Sequence, residues 1–361
     1  MTRWIWLALL VLAPLGCDTT GPSDAGSTPP TGTPPGEPLP ESEPEPTPQP
    51  AGPVHFVSVA WSDARGEAIF SGYDGIATFD PASGVARTVT TEDAGGGPVR
   101  VATDGTAAYV VAARPGEDPN RDPSHLWRID LATDERALVL EFVHSALLAR
   151  DANVAAVTRS RRGPGPDSLL ALDLATGETR YLRDGYPAAL SPDGRQVLVR
   201  PRFESGFALV EMQSGTQIAT VQDPGAFVTS IQWGANGPVA FKHTSTPDGS
   251  AHDGTAVEVD LLTGAEIPLW EGRGFVQSVY GWSPREHLAL FTTFVCQPTP
   301  FGECVFGSTT RRVATDGEDR TFGERILGPT VLTPDGEWLV ATRHSDTEGD
   351  VPVAYRVREL D

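Results

Sequence analysis

Leu190-Ser191-Pro192-Asp193-Gly194, followed by Val197-Leu198-Val199, and Leu332-Thr333-Pro334-Asp335-Gly336, followed by Trp338-Leu339-Val340, are the two stretches that decide the fold. In each, Pro presets the second position of a type I turn, Asp hydrogen-bonds locally, and Gly takes the left-handed position that closes a hairpin. Weaker copies occur as Trp61-Ser62-Asp63, Ala102-Thr103-Asp104-Gly105, Ala149-Arg150-Asp151, Gln232-Trp233-Gly234 and Gly281-Trp282-Ser283-Pro284, each with a short apolar run after it. Taking Asp63, Asp104, Asp151, Asp193, Ala235, Arg285 and Asp335 as landmarks, the spacings are 41, 47, 42, 42, 50 and 50 residues.

A second motif, apolar-Asp-x-x-(Thr/Ser)-Gly, alternates with the first. It reads Phe79-Asp80-Pro81-Ala82-Ser83-Gly84, Leu172-Asp173-Leu174-Ala175-Thr176-Gly177 and Val259-Asp260-Leu261-Leu262-Thr263-Gly264, with variants at Ile129–Asp134 and Val210–Gly215. The Asp ends one strand and the Gly turns the chain into the next. A period in the forties with four short strands per unit is the signature of a propeller blade. The expectation is an all-β propeller over residues 54–361, of seven blades, with six to eight compatible. Such a fold has about 27 strands, too many for one β-sandwich. The extra length falls between second and third strands, at 115–123, 161–166 and 244–254. Buried strands should read as continuous apolar runs, as Val197-Leu198-Val199 and Leu138-Val139-Leu140 do. The last unit, from Thr330, supplies three strands, and the residues before His55 are too proline-rich to donate well to a fourth.

These Ser/Thr-Pro-Asp-Gly and Asp-Leu-x-Thr-Gly turns resemble the repeat of the TolB-like, WD-repeat-like β-propeller family. TolB itself carries six blades and a separate α/β domain, which this chain does not show.

The chain before the repeat has two parts. Trp4 to Ala13 is an apolar run of ten residues after Arg3, too short for a spanning helix of about 20 residues and suited to a secretory signal over residues 1–16. Leu15-Gly16-Cys17 resembles the bacterial lipobox, with Pro14 where that motif usually has Leu; the resemblance implies lipidation of Cys17. Residues 18–53 hold 12 Pro and six acids, with no base, a composition that cannot bury enough apolar area to offset its ordering entropy. Residues 17–53 are therefore expected to be a tether.

The 361 residues carry a formal charge of −21, with 38 Gly and 33 Pro. Residues 54–361 contribute 42 acids against 26 bases, or −16. This charge argues against nucleic acid or an anionic membrane surface as the main partner. Cys296 and Cys304, eight apart in a turn-rich stretch behind an export signal, are expected to form a hairpin disulfide. No His-x-x-x-His spacing, no Gly-x-Ser-x-Gly elbow and no phosphate-cradling Gly-x-x-x-x-Gly-Lys occurs. No catalytic residue, metal site or cofactor is therefore expected. The expected role is that of a lipid-anchored cell-envelope module binding a protein or polymer, with the insertion loops between second and third strands, gathered on one face, making the contact. The alternatives are a lactonase- or lyase-like enzyme with a site in the central channel, and a calcium or small-ligand sensor.

Overall fold

The computed structural model describes residues 55–359 except 93, 95–96, 115–122, 161–166, 202–204, 226–227, 246–252, 274, 284–287, 299–303, 316–317, 323–325 and 346–348. Of the described residues within 243–254, 273–327 and 344–348, and at 229 and 359, it describes the backbone only. The signal segment, Cys17 and the tether lie outside the described residues.

Six antiparallel sheets of four strands and one of three follow one another along the chain, each meandering in strict sequence order. The sheets occupy 56–90, 100–140, 143–184, 186–221, 228–273, 275–322 and 326–356, and are called blades 1 to 7 below. The first strand of every blade touches the first strands of both neighbours, and blade 7 touches blade 1, so the seven first strands form a closed inner ring. This is a β-propeller. The only helix among the described residues is a single 3-10 turn, Val357–Glu359.

Apolar side chains fill the spaces between blades. Second and third strands are covered on both faces, so they are apolar without alternation. Val197, Leu198 and Val199 lie on the second strand of blade 4 and are fully buried. Leu138-Val139-Leu140 proves different. It belongs to the fourth, outermost strand of blade 2, and Leu138 is 43% exposed. Its apolar run does not mark a central strand, because an outermost strand packs its neighbour along only one edge. Val85, Tyr181, Ile218 and Ile267 are likewise exposed on fourth strands.

Among the described residues blade 7 has three strands, as its sequence predicts. Phe56, Phe70 and Phe79 of blade 1 pack with Val340, Val331 and Trp338 of blade 7. The Phe56 N–H donates to Asp350 Oδ2 at 3.1 Å. The outer edge of blade 7 is Gly349–Arg356. Val357 N–H donates inward to the Glu337 carbonyl at 2.9 Å, so by the two-residue period the odd-numbered N–H groups face the sheet and position 352 faces outward. Position 352 is proline, which has no N–H to offer there, and this blunts an edge that would otherwise template strand addition.

Both turn motifs take the predicted form. Gly194 N–H donates to the Ser191 carbonyl and Gly336 N–H to the Thr333 carbonyl, with φ of +69° and +71°. In the second motif Gly84, Gly177 and Gly264 donate to the carbonyls of Asp80, Asp173 and Asp260, with φ of +71°, +75° and +75°. Blade 2 has Asp134 in that place, at φ +60°. A side chain at positive φ costs roughly 1–2 kcal/mol. Gly177→Ala is therefore expected to lower unfolding stability by about 1 kcal/mol, while Asp134→Gly leaves it unchanged or raises it. Chemical denaturation of the two variants checks the opposite signs.

Candidate functional site

In a four-stranded meander the first and third turns emerge on the same side. The Pro-Asp-Gly turns and the Asp-x-x-Thr-Gly turns therefore share one face of the propeller, the turn face. The former ring the axis and the latter stand at the rim. The long second-to-third connections open on the opposite face, as their spacing predicts, and most of their residues lie outside the described ones.

Around the axis the first turns tie neighbouring blades together. Thr103 Oγ1 donates to Asn153 Oδ1 at 2.9 Å, from blade 2 to blade 3. Asp151 N–H donates to the Pro192 carbonyl at 2.8 Å, from blade 3 to blade 4. Arg150 is bound to Asp151 at 3.0 Å and lies 3.8 Å from Asp63 of blade 1; Asp151 holds its pKa above the usual arginine value. Between these turns is a recess of about 630 Å³, within the roughly 300–1,000 Å³ range of small-ligand sites. Arg150 and Asp151, Pro192 and Asp193, Trp233 and Asn236 line it, with Pro334 from across the ring. A half-buried indole and two prolines give it an apolar wall, while the guanidinium and the Asn236 amide give directional polar groups.

A second groove of about 750 Å³ runs outward between blades 3 and 4, lined by Asp173, Arg180, Asp193, Arg195 and Glu211. Asp193 stands between the two hollows.

The carboxylates of both motifs are engaged in their own turns. Asp193 Oδ1 accepts from Ser191 Oγ at 2.7 Å and from Arg195 N–H at 3.0 Å. Asp335 accepts from Thr333 Oγ1 and Glu337 N–H in the same way. Asp173 accepts from the N–H groups of Ala175 and Thr176, and Asp260 from those of Leu262 and Thr263. Asp80 accepts from Ser83 Oγ and Ala82 N–H. The Ser83 hydroxyl holds Asp80 below the usual aspartate pKa, the Ser191 hydroxyl does so for Asp193, and the Thr176 amide for Asp173. Among the described residues no group of three or more His, Cys, Asp or Glu is placed to hold a metal ion.

At the other end of the channel, five first strands carry a one-residue bulge against their second strands, and the first strand of blade 7 has a longer register shift between Ile326 and Thr330. The one-residue bulges leave Val57, His144, Ala188, Thr229 and Gln277 unpaired. A bulge re-aims its side chain. Val57 is 41% exposed although it sits on an innermost strand, and His144 is exposed too. The His144 ring meets Tyr186 edge-on at 5.8 Å, and the Tyr186 hydroxyl donates to Asp167.

The structure thus gathers Pro192–Gly194 and Pro334–Gly336 at the turn-face mouth and sends Asp80–Gly84, Asp173–Gly177 and Asp260–Gly264 to its rim. Cys296 and Cys304 lie on the second and third strands of blade 6, where the spacing predicts an insertion. Cys296 is opposite Gly307 and Cys304 opposite Pro298, and their side chains lie outside the described ones. Trp233 and Asn236 were legible only as a degenerate turn copy, and the bulged residues carry no sequence signal.

No protein-family model matches the chain, and no curated protein does. Among solved structures, hydrazine synthase of Kuenenia stuttgartiensis aligns at 13% identity with a TM-score of 0.55, over 89% of this chain and 100% of that one. An oligogalacturonate lyase in complex with manganese aligns at 14% with a TM-score of 0.56, over 84% and 90%. TolB of Acinetobacter baumannii aligns at 14% with a TM-score of 0.46, over 82% and 65%. The likeness to the first two is one of fold. It is the all-β propeller that the turn spacing predicts.

The lowered aspartate pKa values have a stability consequence. A carboxylate with a folded pKa below its unfolded value stabilises fully above the latter, 3.8, and the gain is lost as pH falls through the folded value. Denaturation midpoints are expected to hold steady above about pH 5 and fall below about pH 4. Asp130 is held below the usual value in the same way, by the Ala132 amide, and the Asp80→Asn, Asp130→Asn, Asp173→Asn triple variant should flatten that fall; a variant as acid-sensitive as the parent would refute the assignment.

Proposed function

We propose that this chain is an exported cell-envelope lipoprotein, anchored to a membrane through Cys17, whose propeller is a binding module rather than an enzyme. Residues 1–16 are the cleaved signal and 17–53 the tether that carries the acidic propeller clear of the membrane. In such a compartment Cys296 and Cys304 pair as a disulfide. The partner is another envelope protein or an envelope polymer, seated over the turn-face mouth of the channel.

One observation carries this reading. The recess around Trp233 is built from rigid turns of four blades, and its carboxylates are spent on those turns. Asp193 and Asp151 hold hydroxyl, amide and guanidinium donors, so they are poorly placed to shuttle protons. A rigid mouth with an indole wall and a few fixed polar groups is suited to holding a ligand.

Two experiments test the reading. Cys17→Ser is expected to move the protein from the membrane to the soluble fraction, and an unchanged membrane fraction would refute the anchor. A photo-crosslinking residue at Asn236 of the anchored chain is expected to give one discrete adduct in cell envelopes. The same residue at Leu138, on the outer rim, is expected to give none, and equal labelling at both would remove the turn-face mouth as the contact surface.

A further inference from the structure

Arg100 lies on the first strand of blade 2, which is only two residues long. Opposite it in the ladder is Tyr109. The places that correspond to it in blades 1, 3, 4 and 7, opposite the third residue of the second strand, hold Ala60, Leu147, Ala189 and Val331. These four inner strands are thus apolar at this level, and Arg100 is a charged exception to them. Departures from a repeat's own pattern are where function is expected to sit.

A guanidinium offers five N–H donors in a planar fork. Among the described residues Arg100 uses one contact, from its terminal nitrogen to the Val99 carbonyl at 3.0 Å. No carboxylate among the described residues lies within ion-pair distance of it. Burial pushes its pKa below the usual arginine range, yet the residue is half-buried rather than closed off, and it stands on the inner ring of strands around the channel. Its backbone is fixed from the side, because Val99 N–H donates to Ser58 Oγ of blade 1 at 2.8 Å.

A desolvated charge without a counter-ion is costly. An oxyanion bound in the channel relieves that cost, and the planar fork favours a bidentate partner. We propose that Arg100 is the anchor of an oxyanion site inside the axial channel, taking a small carboxylate or phosphate. This site is separate from the turn-face mouth and does not depend on the assignment made for it.

Thermal unfolding of the full chain, titrated with inorganic phosphate and with succinate against sodium chloride of equal ionic strength, tests the proposal. A saturable rise in Tm is expected with at least one of the two anions, above the linear effect that excluded salts exert on any protein. Arg100→Leu, which restores the pattern of the other blades, should fold and lose the saturable component. Arg100→Lys should retain it with about tenfold weaker half-saturation, since a point charge replaces the fork. If Arg100→Leu does not fold, the lysine variant decides. Absence of saturation in the parent, or equal saturation in the variants, would overturn the proposal.

Discussion

Closure of the ring rests on one contact, the packing of blade 1 against blade 7. Every other blade is joined to its neighbour by the chain itself, but this pair is separated by nearly the whole sequence. Phe70 is fully buried there and Phe56 stacks against it at 5.2 Å between ring centroids. Val340, Val331 and Trp338 supply the opposite wall. Burial of each such side chain contributes roughly 1.5–3 kcal/mol. Among the described residues no strand is exchanged between the ends, and this apolar contact and the bond from Phe56 N–H to Asp350 join them. The channel mouths and the Arg100 position keep their geometry only while it holds.

The turns perform a second service. Because each Asp satisfies its own hairpin, the turn face is rigid, and the blades are linked around the axis by Thr103 to Asn153 and Asp151 to Pro192. That rigidity creates the recess. The same engagement holds those carboxylates in their own turns, and it is the ground for the binding role proposed above.

Much of this was legible beforehand. The Pro-Asp-Gly and Asp-x-x-Thr-Gly turns depend on local chemistry, so their spacing gave the blade repeat, the three-stranded last blade and the place of the insertions. Asp134, in the glycine position of its motif, was readable as a variant and takes the same left-handed conformation. Leu138–Leu140 misled because an apolar triplet reads the same whether it lies in the middle of a blade or at its rim. The recess was hidden for a different reason. Arg150, Asp193, Trp233 and Pro334 come from four blades and meet only when the ring closes, so no spacing along the chain announces them. The bulges at Val57 and His144 depend on pairing register, and Arg100 stands out only once the ladder shows which residues are its equivalents.

A ring closed by a single non-local contact is expected to behave as one cooperative unit. Native-state hydrogen exchange on the parent chain and on Phe70→Ala tests this most directly. Truncation of a buried Phe costs about 3–5 kcal/mol. If closure unites the ring, the slowest amides of the second strands in blades 3, 4 and 5 lose that protection to the same extent as those of blades 1 and 7. Loss confined to blades 1 and 7, with the distant blades unchanged, would contradict it.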